Sequence, residues 1–418
     1  MKVSAGLRQE SHSSFPDSED NEKRSHIPGV FLTGVMEVSG IKVRVAEGEF
    51  WTSKQRDGHS LHEISYRACF KPQLPHFFLE HLSRPGDWIY DPFSGRGTTA
   101  IESGLLSRNV ITNDANPLSA LLTIPRFFPP ARDELHKRLE DIPLVPETEP
   151  DMDLSMFYDK KTFGEISAIR DYISERQKDG VYDELDGWVR MVATNRLTGH
   201  SPGFFSVYTL PPNQAVSPER QKIINEKLQQ SPQYRDTHKI LEKKSARLIS
   251  DLKPGEKLRL SEIGRKGIFL TGDARTTPQI DDESVTITIT SPPFLNIVQY
   301  SKDNWLRCWF NGIDGEKVAG SLTLTPTVSK WEEVMGSVFK ELYRITKPEG
   351  HVAFEVGEVR KGSVKLDEHV IPLALSAGFE CSLVLVQTQN FTKTAHIWGI
   401  SNNSGGTNTN RIVLLQKN

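Results

Sequence analysis

Cysteine is scarce in this sequence, with 3 in 418 residues: Cys69, Cys308 and Cys381. They are odd in number and far apart, which argues against a disulfide framework and against a zinc site. A reducing cytoplasm is the setting this usage predicts. Long hydrophobic runs are missing too, and none reaches the roughly 18 residues that a membrane span needs. The N-terminal stretch MKVSAGLRQESHSSFPDSEDNEKRS has no apolar core of the kind a secretory leader carries. Its mixed polar composition predicts a disordered tail over residues 1–25. Neither sign of charge dominates: 51 Lys+Arg stand against 54 Asp+Glu, a net charge of −3. At first sight that speaks against a nucleic-acid partner. No internal repeat or low-complexity run is visible.

What is present is an ordinary globular composition, 37% hydrophobic and 25% charged. The neutral average hides an asymmetry. Residues 131–186 carry 8 Lys+Arg against 16 Asp+Glu, whereas residues 187–265 carry 14 against 7. A locally basic block suits a phosphate-facing surface, and suits an ordinary solvated helix face equally well.

Alternating strands and helices predict an α/β fold with a doubly wound, mostly parallel sheet. DWIYDPF (87–93) reads as a short apolar strand and SGRGTT as a glycine-rich turn. A helix from Thr98 to about Ser107 and a second strand, NVITND (109–114), complete a βαβ unit. GIFLTGDA (267–274) and VTITIT (285–290) supply further strands. A helix over 331–345, a strand over 351–357 and a helix over 367–377 follow. Strands over 380–387 and 411–417 close the series as an antiparallel pair. The long block between the second and third strands lacks this rhythm; it reads as helical around 161–177, 184–198 and 218–252. The expected division is a tail (1–25), an N-terminal β element (26–64), a first core half (65–126), an inserted, largely helical subdomain (127–265) and a second core half (266–418).

Three features of this framework carry chemistry. In DPFSGRGTT, Gly95 and Gly97 let backbone approach a ligand, and the following helix presents its N-terminus. A dinucleotide fingerprint would want a third glycine where Ala100 stands. Acids end three strands: Asp91, Asp114 and Asp273. Each alone reads as a loop carboxylate, Asp114 as a cap or turn residue ahead of Asn116-Pro117. Ligands in such sheets bind at the carboxyl ends of the strands, however, so the three converge on one crevice. Together they suit a ligand with an ammonium, a ribose diol and an adenine amine but no phosphates. S-adenosylmethionine fits that description better than a nicotinamide dinucleotide. Finally, the alternating run 286–290 stops at Ser291-Pro292-Pro293-Phe294. Prolines at a strand end are often mere punctuation; here a hydroxyl precedes them and an aromatic ring follows.

These motifs resemble those of the amino-group DNA methyltransferases. That family binds its cofactor through Phe-x-Gly-x-Gly and ends a strand on [Ser/Asp/Asn]-Pro-Pro-[Tyr/Phe]; DPFSGRGTT and TSPPF match both. SYRACFKPQLP (65–75), ELYRITKPEGHVAFEVGEVR (341–360) and NFTKTAHIWGISNNSGGTNTNRIVLL (390–415) resemble other segments of the family. The resemblance covers about 65–125 and 267–418. It implies a Rossmann-like class I methyltransferase fold and S-adenosylmethionine as cofactor, with no metal. Carried onto this sequence, it assigns the cofactor to Phe70, Lys71, Pro72, Asp91, Phe93, Gly95, Gly97, Thr98, Thr99, Asp114 and Asp273, and catalysis to Ser291, Pro292, Pro293 and Phe294. The order of motifs resembles the arrangement in which a target-recognition domain is spliced between the core halves. That gives the basic block a reason to face double-stranded DNA. A bacterial or archaeal cytoplasm is then expected, with a cognate restriction endonuclease as partner in a restriction–modification setting.

The motif suits the chemistry. The lone pair of an exocyclic base amine is delocalised into the ring, so the amine must be held in line and its developing charge favoured by acceptors. Ser291 Oγ and the Pro292 carbonyl would be those acceptors, and Phe294 would stack on a base flipped out of the duplex. Serine in the first place resembles the cytosine-N4 enzymes, whereas Asp or Asn is usual in the adenine-N6 ones. Adenine-N6 methylation on the same scaffold is the alternative, and RNA or a protein glutamine are substrates that share the motif. A non-catalytic nucleic-acid-binding relative would show decay of the two motifs, and both are intact. Tyr300, Asp303 and Trp305 stand either to line a base pocket or to pack as helix residues.

Overall fold

The structure is a computed structural model that describes residues 25, 27–51, 58–67, 69–145, 152–209, 215–293, 300–321, 327–359, 364–388 and 410–418. Residues 1–24 of the expected tail, and Phe294, lie outside the described residues.

The chain opens with a hairpin of β1 (Gly34–Val38) and β2 (Ile41–Gly48), then α1 (Gln73–Leu82). The βαβ unit follows as β3 (Trp88–Asp91), α2 (Thr98–Leu105) and β4 (Asn109–Asp114). Helices α3 (Leu118–Thr123), α4 (Arg132–Asp141), α5 (Lys160–Lys178), α6 (Glu184–Arg196), α7 (Pro218–Leu228), α8 (Thr237–Leu248) and α9 (Glu256–Lys266) fill the insertion and its approach. The second half runs through β5 (Ile268–Thr271), β6 (Val285–Thr290), α10 (Tyr300–Asp303), α11 (Trp305–Asn311), α12 (Gly315–Ser321), α13 (Val328–Ile345) and β7 (Thr346–Val356). A small ribbon of β8 (Glu358–Val359) and β9 (Val364–Lys365), α14 (Leu366–Ala377), β10 (Glu380–Gln387) and β11 (Asn410–Gln416) complete it.

Nine strands form one sheet in the order β1-β2-β10-β11-β7-β6-β3-β4-β5. The run from β7 to β5 is parallel throughout, and β11 lies antiparallel to both β7 and β10. The expected fold class is therefore the observed one. The N-terminal hairpin is part of the same sheet, because β2 pairs in parallel with β10 and leaves β1 at the edge.

Strand alternation sends side chains to opposite faces. Tyr90, Ile111, Phe354, Val384 and Val413 pack under α13 and α14, whereas Ile89, Ile287, Ile289, Ala353 and Leu385 pack against α1. A further cluster joins α2 and β4 (Ala100, Ile101, Val110) to the insertion helices through Phe127, Trp188, Leu241 and Leu260. The insertion thus shares its core with the first half of the sheet.

Some boundaries differ from expectation. The helical block 218–252 is split into α7 and α8 at Ser231-Pro232, where proline cannot donate to the helical ladder. The strand expected over 267–274 ends at Thr271, and that expected from His351 begins at Thr346.

Candidate active site

From β3 the chain moves outward to β4 and β5, then returns to place β6 on the other side of β3. The strand order reverses there, and crevices at such switch points are the usual ligand sites of open parallel sheets. A cavity of about 1040 Å³, its open mouth included, lies at this point.

One wall comes from the glycine turn. Gly95 and Gly97 adopt φ values of +54° and +73°, which swing the chain into α2 and are costly for residues with a Cβ. Asp114, at the carboxyl end of β4, accepts the Gly95 amide on Oδ2 at 2.8 Å and the Asn116 amide on Oδ1 at 2.8 Å. Burial pushes its carboxyl up to about 6, against the pull of those two amides. Ser94, Gly95, Thr98, Asp114 and Asn116 all line the cavity. Ser94 Oγ is buried there without a hydrogen-bond partner among the described residues. An orphaned hydroxyl on a cavity wall is what a polar ligand would satisfy.

A second wall is the apolar stripe of α13: Trp331, Val334, Met335 and Val338. Phe70, Cys69 and Tyr66 supply a third from the segment before α1, and Phe93 joins them from the turn. At the rim stands Asp273, which is exposed. Arg275 engages its carboxylate, the backbone amide at 2.9 Å and Nε at 3.0 Å from Oδ1, and holds its pKa below the usual range.

The last wall is the end of β6. Ser291 and Pro293 face the cavity. The Pro293 carbonyl accepts the Trp331 indole N–H at 3.1 Å, so α13 fixes the direction of the motif. Glu355 of β7, a residue only 7% exposed, lies beside the Ser291 side chain. Burial raises Glu355 to about 7, and the Ser291 contact opposes that rise.

The structure thus brings Phe70, Phe93, Gly95, Thr98, Asp114, Asp273, Ser291 and Pro293 to one cavity. Other expected site residues do not line it. Asp91 lies beneath the floor, where Oδ1 accepts Thr290 Oγ1 at 2.6 Å and the Phe93 amide at 3.2 Å. Its Oδ2 has no partner among the described residues, and burial raises the group to about 7. Thr99, a helical step away from Thr98, turns its hydroxyl to the Ile289 carbonyl at 3.0 Å. Asp91 and Thr99 therefore brace the strand that carries the Ser-Pro-Pro motif. A Cβ on Gly97 would meet Thr123 Oγ1 at 2.2 Å, so that glycine permits α2 to pack on α3. Pro72 is the N-cap residue of α1, Lys71 precedes it, and Pro292 is buried. Trp305 packs against the insertion, its Nε1 donating to the Val216 carbonyl at 3.1 Å, whereas Asp303 accepts Arg67 Nη1 of the first core half at 2.6 Å. The side chain of Tyr300 is outside the described residues.

Residues 15–119 match the family model described as DNA methylase. Type II methyltransferase M.BsoBI of Geobacillus stearothermophilus is 23% identical over 293 residues, 62% of this chain and 54% of its own. Both similarities support the amino-group methyltransferase family. A second relative, Type II methyltransferase M.MjaII of Methanocaldococcus jannaschii, is 38% identical over 72 residues, 17% of this chain and 13% of its own. The chain spans about half the length of the first of these relatives. A protein described as a DNA modification methylase of Thermus thermophilus, solved with S-adenosyl-L-methionine, is 18% identical. It covers 35% of this chain and 53% of its own at a TM-score of 0.23, a likeness that carries no weight.

The residues at the cavity least visible in the sequence are Tyr66, Ser94, Trp331 and Glu355. Glu355 did leave a signal: it is a carboxylate inside the apolar run HVAFEVG. The α13 stripe left another, in its helical spacing. Among the described residues no helix is long and apolar enough to cross a membrane, and no cluster suits a metal ion.

Proposed function

We propose that the cavity binds S-adenosylmethionine and that the chain transfers the methyl group to the N4 amine of cytosine in double-stranded DNA. The observation that carries this reading is a single cavity with the glycine turn and Asp114 on one side and Ser291-Pro-Pro on the other. Asp114 would accept ribose hydroxyls, because a carboxylate that already accepts two amides still has lone pairs to offer. Ser94 Oγ would satisfy a polar edge of the ligand, and the α13 stripe an apolar face. The walls therefore fit the cofactor. When bound, S-adenosylmethionine supplies an electrophilic methyl on a sulfonium.

The remaining work falls to the chain. The carbonyl of Pro292 and Ser291 Oγ would accept the two N–H bonds of the target amine and aim its lone pair, as charge develops on nitrogen. As the new N–C bond forms, the amine must give up one proton. Glu355, beside Ser291 and poised near neutrality, would be a nearby acceptor for it. The phenyl ring of Phe294 follows directly in sequence and would face the flipped base. Serine in the first place of the motif favours cytosine over adenine-N6. The basic block 187–265 is the proposed DNA-facing surface and the insertion the target-recognition element. The names of the Type II relatives favour a restriction–modification setting with a cognate endonuclease.

Calorimetry with S-adenosylhomocysteine tests the pocket. Asp114→Ala should weaken binding by about tenfold, the loss of a charged hydrogen-bond acceptor. Unchanged affinity in a folded variant would refute the assignment.

A further inference from the structure

The residue between the two glycines of the turn is Arg96, only 8% exposed. It does not point at a ligand. Nε donates to Thr98 Oγ1 at 3.1 Å, Nη1 to the carbonyls of Ile64 at 2.9 Å and His62 at 3.3 Å, and Nη2 to that of Phe70 at 3.4 Å. The segment it grips, Leu61–Arg67 with Cys69 and Phe70, has almost no regular structure of its own after a single turn ending at His62. Yet this segment gives Tyr66, Cys69 and Phe70 to the cavity wall.

Other side chains hold the same segment. Arg126, fully buried, donates to the Leu61 carbonyl at 3.1 Å, to that of Leu122 at 2.9 Å, and to the carbonyl of Arg96 itself. The Ser65 carbonyl accepts Arg307 Nη2 at 3.0 Å and Asn195 Nδ2 at 3.1 Å. Main-chain carbonyls that would otherwise pair in a strand are paired here with side chains. Burying guanidinium groups against carbonyls is expensive, and apolar residues would fill the space at lower cost. What apolar residues could not do is fix the segment at a set distance from the glycine turn.

We infer that Arg96 is a positioning residue for the cofactor, holding Leu61–Phe70 against the glycine turn so that Tyr66, Cys69 and Phe70 form the third wall of the cavity. The inference rests on the proposed cofactor reading of that cavity. Arginine suits the task because one planar fork reaches several carbonyls at fixed angles, which a lysine ammonium cannot reproduce.

The test uses the full chain and S-adenosylhomocysteine as the probe. By calorimetry, Arg96→Met should raise the Kd at least about tenfold, and Arg96→Lys should raise it less. In steady state the KM for the cofactor should rise by a larger factor than any fall in kcat. Amide hydrogen exchange over residues 61–70 should quicken while β6 stays protected. A Kd within about twofold of wild type in a folded variant would overturn the inference. So would a loss confined to kcat. If Arg96→Met does not fold, Arg96→Lys decides by the same criteria. Failure of the wild-type chain to bind the probe is a separate result, which removes the cofactor reading before any variant is made.

Discussion

Glu355 is a carboxyl buried beside Ser291, with its pKa raised from 4.5 to about 7 by burial. Its effects on stability and on rate have opposite signs. In the unfolded chain it ionises near 4.5, so between that value and about 7 the native state binds the extra proton. Stability is therefore lost as pH rises through this window, and the penalty is complete above about 7. Glu355→Gln should remove it: the variant's gain in stability over wild type should be larger at pH 8 than at pH 5 in urea denaturation. A constant difference would contradict the buried-acid account. If Glu355 takes the amine proton, kcat should rise through neutrality in wild type, and the variant should be slower with a flatter profile. Much of the site was legible one residue at a time. Gly95, Thr98, Asp114 and Ser291 sit in motifs whose residue types follow from the chemistry. Tyr66, Trp331 and Glu355 were not, because only the fold brings chain positions so far apart to one wall.

At the scale of elements, the end of β6 is held from three directions. Thr290 bonds Asp91 of β3, Thr99 of α2 bonds the Ile289 carbonyl, and Trp331 of α13 bonds the Pro293 carbonyl. Asp91 and Thr99 were expected on the ligand, because a strand-end acid and a helix N-terminal threonine are ligand-type residues in a sequence. One step of strand or helix periodicity decides whether such a side chain meets the cavity or the neighbouring element. Gly97 shows the same ambiguity. Its positive φ is legible in the turn pattern, but the closeness of Thr123, which a Cβ at this position would overlap, is not. Gly97→Ala should cost at least about 2 kcal/mol, from a left-handed backbone and a forced shift of α3. Urea denaturation measures it, and a neutral result would mean that α2 and α3 are not packed this closely. The strands themselves were legible because their apolar runs are short and bounded by turn residues. The break between α7 and α8 was harder to see, since charged helical periodicity continues on both sides of it.

For the whole molecule, the insertion is continuous with the core. Trp188, Leu241 and Leu260 share a cluster with Ala100, Ile101 and Val110 of the first half, and with Leu306 and Phe310 beyond the Ser-Pro-Pro motif. Replacing residues 131–265 by a short linker would uncover that face. The excised chain should then show no cooperative unfolding transition; one that unfolds cooperatively and still binds S-adenosylhomocysteine would mean the insertion is an independent domain. The sequence marked the insertion by its break in rhythm and its charge asymmetry, both local properties. The shared core is a long-range property, and no local pattern announces it. The central claim is that Ser291 and the turn around Gly95 present an amine and a methyl donor to each other. It is tested most directly by incubating the chain with labelled S-adenosylmethionine and duplex DNA, then separating the nucleosides. The account predicts label in N4-methyldeoxycytidine, lost in Ser291→Ala. Label in N6-methyldeoxyadenosine, or undiminished label with Ser291→Ala, would contradict it.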